Sequence, residues 1–109
     1  MLGNLLGSVN KERVLVYLAS RDRGYSREIA RFFTAALNPI QKALDNLEVA
    51  GVLVSRTVGS TREYEFNPRY PAKAELMALI NRALELYPAP LRESLGIARA
   101  RPRRRGKPL

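Results

Sequence analysis

The sequence predicts a mostly helical α+β domain: a three-helix core, a two-stranded β-hairpin after it, and one further long helix toward the C-terminus. Three observations predict it. Apolar residues recur at helical spacing in separate segments before residue 51, strand-like alternation replaces that period between residues 52 and 66, and an Ala- and Leu-rich stretch then runs up to Pro88 and Pro90. A chain of 109 residues, 46% hydrophobic and 27% charged, suits one folded domain of this kind.

The first helix is expected from Asn10 to Ala19. Asn10 is its cap, Lys11, Glu12 and Arg13 form its first turn, and Val14, Leu15, Tyr17 and Leu18 are its apolar residues. Ser20-Arg21-Asp22-Arg23-Gly24 follows as a polar turn, and Ser26 caps a second, short helix ending at Phe33. Thr34 to Asn38 is a break. Pro39 suits the first position of the third helix, where its missing N–H would have no helical partner, and Gly51 stops that helix after about Ala50. Ile40, Leu44 and Leu47 share one face of it, so Asn38, Gln41, Lys42 and Asp45 point elsewhere.

Beyond Gly51, Val52, Val54, Arg56 and Val58 alternate as in a half-buried strand. Gly59-Ser60-Thr61 turns the chain, and Tyr64 and Phe66 mark the returning strand. Asn67-Pro68-Arg69-Tyr70-Pro71 breaks it before a helix from Ala72 to Leu86. Helix, helix, short turn, helix and hairpin is the order of a winged helix-turn-helix, in which the helix after the turn enters the DNA major groove and the hairpin is the wing. The expected division is a winged helix-turn-helix domain with its C-terminal helix over residues 1–88, and a Pro- and Arg-rich basic tail over 89–109.

Charge agrees with a polyanionic partner. The chain carries 19 Lys and Arg against 10 Asp and Glu, a net charge of +9. Much of the excess lies in the last segment, in Arg99, Arg101, Arg103, Arg104, Arg105 and Lys107. This segment is expected to be a disordered basic arm on phosphates; Arg105-Gly106-Lys107-Pro108 also resembles the core of an AT-hook with Lys in place of the second Arg. The absence of Cys and His from the sequence excludes disulfides, thiolate and imidazole catalysis and the usual zinc or copper sites, so neither a metal nor another cofactor is expected. No stretch approaches the roughly 20 apolar residues of a membrane helix, and Met1 to Ser8 lacks the basic start of a signal peptide; a cytoplasmic protein is expected.

Gly7-Ser8, Ser26-Arg27-Glu28-Ile29-Ala30, the run Ile40 to Leu53 containing Asp45-Asn46-Leu47-Glu48 and Gly51-Val52-Leu53, and Arg62-Glu63-Tyr64-Glu65-Phe66-Asn67-Pro68 together resemble ArsR-like winged-helix transcriptional regulators of prokaryotes. The match is to the branch found N-terminal to nucleotidyltransferase-like domains, and it covers about residues 5 to 97. Tyr87-Pro88-Ala89-Pro90-Leu91-Arg92-Glu93-Ser94-Leu95 resembles the linker and opening helix that lead into the nucleotidyltransferase domain of fused relatives. Where those relatives continue into a Gly-Ser motif with paired acidic metal ligands, this chain has its Arg-rich segment. The resemblance therefore implies DNA binding, usually as a homodimer, and leaves a separate nucleotidyltransferase as a conceivable partner; it implies no catalytic residue here.

The candidate base-reading residues are Asn38, Gln41 and Lys42, with Asp45 able to accept only from a cytosine amino group without repelling the duplex. Asp45 and Glu48 outweigh Lys42 on this helix, so affinity must come from elsewhere. The wing offers Arg56, Ser60, Thr61 and Arg62; for Arg62 the competing expectation is pairing with Glu63 or Glu65. Ser26, Arg27 and Arg31 are candidates for backbone phosphates, or for a solvated surface. The last long helix has more apolar surface than one small core can use, and Leu76, Leu79, Ile80, Ala83 and Tyr87 are expected to meet a second copy, joined by Leu2, Leu5 and Leu6. The competing expectation is a monomer with that helix folded across the first. Two rival functions remain at this point: an adaptor that recruits another protein through the apolar helix, and RNA binding through the Arg-rich tail.

Overall fold

In the computed structural model, which describes the backbone of residues 2–103 and the side chains of residues 2–96, six helices and three strands follow one another. They are α1 (Leu2–Leu6), α2 (Val9–Arg21), β1 (Arg23–Gly24), α3 (Ser26–Phe33), α4 (Leu37–Val49), β2 (Leu53–Val58), β3 (Thr61–Phe66), α5 (Lys73–Glu85) and α6 (Ala89–Arg103). The winged helix-turn-helix arrangement is present, mostly helical with one antiparallel sheet in the order β1-β3-β2.

The centre is α2. Val14, Leu15, Val16, Tyr17, Leu18 and Ala19 are all buried, so this helix is apolar all round rather than striped, as a helix enclosed by other elements must be. Ile29 and Ala30 of α3, Ile40, Ala43, Leu44 and Leu47 of α4, Leu53, Tyr64, Ile80, Ala83 and Leu95 complete the core. The cap of α2 is Ser8 rather than Asn10: the Ser8 hydroxyl accepts from the Lys11 N–H at 3.1 Å, and the helix starts one residue earlier than expected.

Several boundaries move for local reasons. Ser26 is the first residue of α3 rather than its cap, since extended Tyr25 precedes the helix and no side chain caps it. Leu37 opens α4, placing Pro39 third; its missing N–H still falls within the first turn, where no partner is required. At the other end Gly51, at φ +83°, donates to the Glu48 carbonyl and Val52 to the Leu47 carbonyl, so the two bonds of a Schellman motif end the helix where glycine was expected to.

That motif carries Val52 into the core before the strand begins. The face of the hairpin turned toward α4 is consequently Leu53, Ser55 and Thr57 opposite Phe66, Tyr64 and Arg62, buried at Leu53 and Tyr64 and exposed toward the tip, and the expected face of Val54, Arg56 and Val58 is the outer one. Asn67 fastens the base of the hairpin, its side chain donating to the Gly51 carbonyl at 2.9 Å and accepting from the Arg69 N–H at 3.0 Å.

Two elements differ from the expectation and a third extends it. α1 places Leu2 in the core, β1 adds a third strand from the segment expected as a turn, and α6 continues the opening helix that the resemblance implies into the segment expected as a disordered arm, as far as Arg103. Packing crosses the expected boundary at residue 88, because Leu95 is buried against the α2 side and the Arg21 guanidinium reaches the Ser94 carbonyl at 3.5 Å. Arg104, Arg105, Lys107 and the AT-hook-like segment lie outside the described residues. None of the described helices is long and apolar enough to cross a membrane.

Candidate nucleic-acid interface

The turn between α3 and α4 is tight. Thr34 occupies the left-handed region at φ 51°, and the Thr34 and Ala35 N–H groups donate to the Arg31 and Ala30 carbonyls at 3.2 and 2.9 Å. Ile29 and Ala30 hold α3 on the core, while Phe32 and Phe33 meet the Tyr17 ring edge-on at 5.5 and 6.5 Å. Below them Gly24 passes so close that an added Cβ would lie 2.9 Å from the Tyr17 ring. The helix pair is therefore anchored on one side only, and α4 presents its other side outward.

On α4 the core takes Ile40, Ala43, Leu44 and Leu47; Asn38, Lys42, Asp45 and Asn46 are exposed, and Val49 is 89% exposed. Gln41 is half-buried and turns toward the wing. Its Nε2 donates to Asp45 Oδ1 and to the Tyr64 hydroxyl, both at 3.0 Å, and the Tyr64 hydroxyl in turn lies 3.3 Å from Asp45 Oδ1. Tyr64 is only 1% exposed, and burial above all, then the neighbouring Asp45 carboxylate, holds its hydroxyl above the ordinary tyrosine range, against a lowering contribution from the Gln41 hydrogen bond. A second bridge runs beside the first: Ser55 Oγ donates to Glu48 at 2.6 Å and accepts from Arg62 Nη1 at 2.8 Å. Two hydrogen-bonded bridges thus lock the hairpin to α4.

The wing candidates divide between its two faces. Arg62 lies on the α4 side and bonds Ser55, not Glu63 or Glu65, because a strand neighbour points to the opposite face. Arg56 lies on the outer face and pairs with Glu63 at 3.2 Å; Arg23 of β1 lies 3.9 Å from Glu63 and 3.7 Å from Glu65. Ser60 is exposed at the tip beside Gly59, and Thr61 is half-buried. On α3, Arg27 and Arg31 are exposed one turn apart, and Ser26 is half-buried at its start.

The sequence gives no sign of the part played by Tyr64, Glu48 and Ser55, which hydrogen-bond Gln41, Asp45 and Arg62, or of Lys11. Lys11 lines an open groove of about 280 Å³ with Ser8, Asn10, Pro39, Lys42 and Asn46, and brings a second cation to the flank of α4. The only signal for it was a basic side chain in the first turn of a helix, which has no preferred partner there.

Of the residues expected at a dimer interface, Ile80 and Ala83 are 0% exposed within one protomer, packed into its own core. Tyr87 is half-buried, with its hydroxyl donated to Glu12. Leu76 and Leu79 are half-buried, whereas Leu86 and Leu5 are exposed. Among the described residues no group of three or more acidic side chains could hold a metal ion.

No protein-family model and no curated protein matches the chain. Among solved structures it is similar to a double mutant of ZitR from Lactococcus lactis in apo form, with 15% identity and a TM-score of 0.54 over 79% of this chain and 71% of that one. It is also similar to the adhesin competence repressor AdcR from Streptococcus pyogenes, with 16% identity and a TM-score of 0.49 over 98% and 96% of the two chains. The first likeness shows a shared fold.

Proposed function

We propose that this chain is a non-catalytic, sequence-specific regulator of transcription that binds double-stranded DNA as a homodimer, in the manner of ArsR-like winged-helix repressors. α4 enters the major groove, the tip of β2–β3 touches the backbone or the adjacent minor groove, and Arg27 and Arg31 of α3 meet phosphates. The observation that carries this reading is the disposition of α4: its apolar face is fully used by the core, and its other face presents Asn38, Lys42 and Asp45 on a helix fastened to a wing. Lys42, Arg27 and Arg31 form no ion pair among the described residues, which leaves their charge for a ligand. The dimer would use what α5 and α1 leave outward, Leu76, Leu79, Leu86 and Leu5, rather than Ile80 and Ala83. The Arg-rich segment adds sequence-independent affinity, and the protein works in the cytoplasm.

Fluorescence anisotropy of a labelled mixed-sequence duplex, titrated with the full chain at several salt concentrations, tests this. A binding constant that falls steeply with salt, and falls less steeply by a slope of roughly 5 for a version ending at Ala98, is the expected result. Absence of duplex binding at low salt would reject it in favour of an adaptor for a protein partner, such as a separate nucleotidyltransferase. Light scattering at the same concentrations reads the dimer directly.

A further inference from the structure

The polar triangle of Gln41, Asp45 and Tyr64 fixes which atoms α4 can offer a base. A carboxylate only accepts, so the Gln41 atom 3.0 Å from Asp45 Oδ1 is its amide nitrogen. The same nitrogen donates to the Tyr64 oxygen at 3.0 Å, and the single Tyr64 proton goes to Asp45 Oδ1 at 3.3 Å. Every donor in the triangle is then committed inside it. What remains is Gln41 Oε1 and Asp45 Oδ2, both acceptors. Neither takes a hydrogen bond from another described residue; Asp45 is an exposed residue, and Gln41 Oε1, on a half-buried one, is not among the buried polar atoms left without a partner.

In the major groove the hydrogen-bond donors on base edges are the exocyclic amino groups, cytosine N4 and adenine N6. Guanine presents only acceptors, N7 and O6, and thymine an acceptor and a methyl group. We infer that the reading face of α4 selects an exocyclic amino group at one position of its site through Gln41 Oε1 and Asp45 Oδ2, with Tyr64 as the buried positioning residue that turns both acceptors outward. This rests on α4 being the groove helix and adds to it a chemical preference: cytosine or adenine on the contacted strand, against guanine or thymine. Asp45 is then not merely tolerated next to the phosphates. It supplies discrimination, while Lys42 and Lys11 on the neighbouring flank supply charge.

The test is selection of bound duplexes from a random DNA pool with the full wild-type chain, Asp45→Asn and Tyr64→Phe at one salt concentration, with circular dichroism confirming that each variant is folded. The wild type should enrich a site with cytosine or adenine at one position of each half, and the enriched base tells which amino group is read. Asp45→Asn, at an exposed position and able to turn a donor outward, should reduce the preference at that position alone by about tenfold even if total affinity rises. Tyr64→Phe should blunt the same position by a smaller factor, since the Gln41 amide and Asp45 Oδ1 each lose one of the hydrogen bonds that hold them while the bond between them remains. A wild-type site whose preferences are the same in both variants, or that has guanine or thymine where position 45 acts, overturns the inference while leaving DNA binding intact. Failure of the wild type to enrich any sequence overturns the inference together with the sequence-specific reading it rests on.

Discussion

Two tyrosines, Tyr64 buried and Tyr87 half-buried, each donate a hydrogen bond to a carboxylate, and the outcomes differ. Tyr87, at the end of α5, donates to Glu12 of α2, whose other oxygen accepts from the Gly3 N–H of α1 at 2.7 Å; Glu12 is 7% exposed and both of its oxygens are engaged. Tyr64 of the wing approaches Asp45, an exposed carboxylate with one oxygen left over. The first carboxylate joins three helices and has nothing to offer a ligand. The second is held in place by the same chemistry and remains available. Burial of the acceptor, rather than the pairing itself, separates a structural staple from a group left open to a ligand.

Removing the staple should have the largest effect. Glu12→Ala leaves the Tyr87 hydroxyl and Gly3 N–H without their acceptor in a nearly buried site and should lower unfolding stability by about 3 kcal/mol, read from the urea midpoint. Alkaline pH attacks the tyrosines packed around α2. Burial first, and Glu28 second, push the Tyr17 hydroxyl up to about 12 from an ordinary 10.0, and burial with the Glu12 hydrogen bond raises Tyr87 as well. The folded state therefore holds these protons more tightly than the unfolded chain, so their contribution is complete below pH 10 and is lost as pH rises from there toward 12. Thermal melts across that range should show falling stability, and Tyr87→Phe should flatten the fall.

On the other side the expected effects are on binding. Lys42→Ala should weaken duplex binding by about tenfold in anisotropy with a melting temperature unchanged, because the side chain is exposed and alanine suits a helix. If stability dropped instead, α4 would be a packing helix like α2. Arg56→Ala is the smallest change: its exposed pair with Glu63 on the outer face of the wing should contribute under about 0.5 kcal/mol to stability, and affinity should change less than for Arg62→Ala.

The α4 and wing side is largely legible in the sequence because local chemistry specifies it. Helical spacing in Ile40, Leu44 and Leu47, the glycine at position 51 and the returning Tyr64 and Phe66 each have a short-range cause. The other side depends on packing between distant segments. α1 is five residues long, β1 is two, and neither is long enough to show a period. Pro88 and Pro90 mark the end of the preceding helix, and Pro90 also stands in the first turn of α6, where proline is tolerated. Alternation along the hairpin was legible but its phase was not, because the Schellman turn at Gly51 decides which residue starts the strand. Tyrosine hydroxyl partners, Gln41 for one and Glu12 for the other, follow only from the fold.

The most direct test is a titration of the isotopically labelled chain with a short duplex, followed residue by residue through amide chemical shifts. The account predicts shifts, outside the Arg-rich end, concentrated in residues 38–49, in the tip of the wing around 56–62 and at Arg27 and Arg31, with Gly3, Glu12 and Tyr87 unmoved. Shifts concentrated in α1 and α5, with α4 silent, would contradict it.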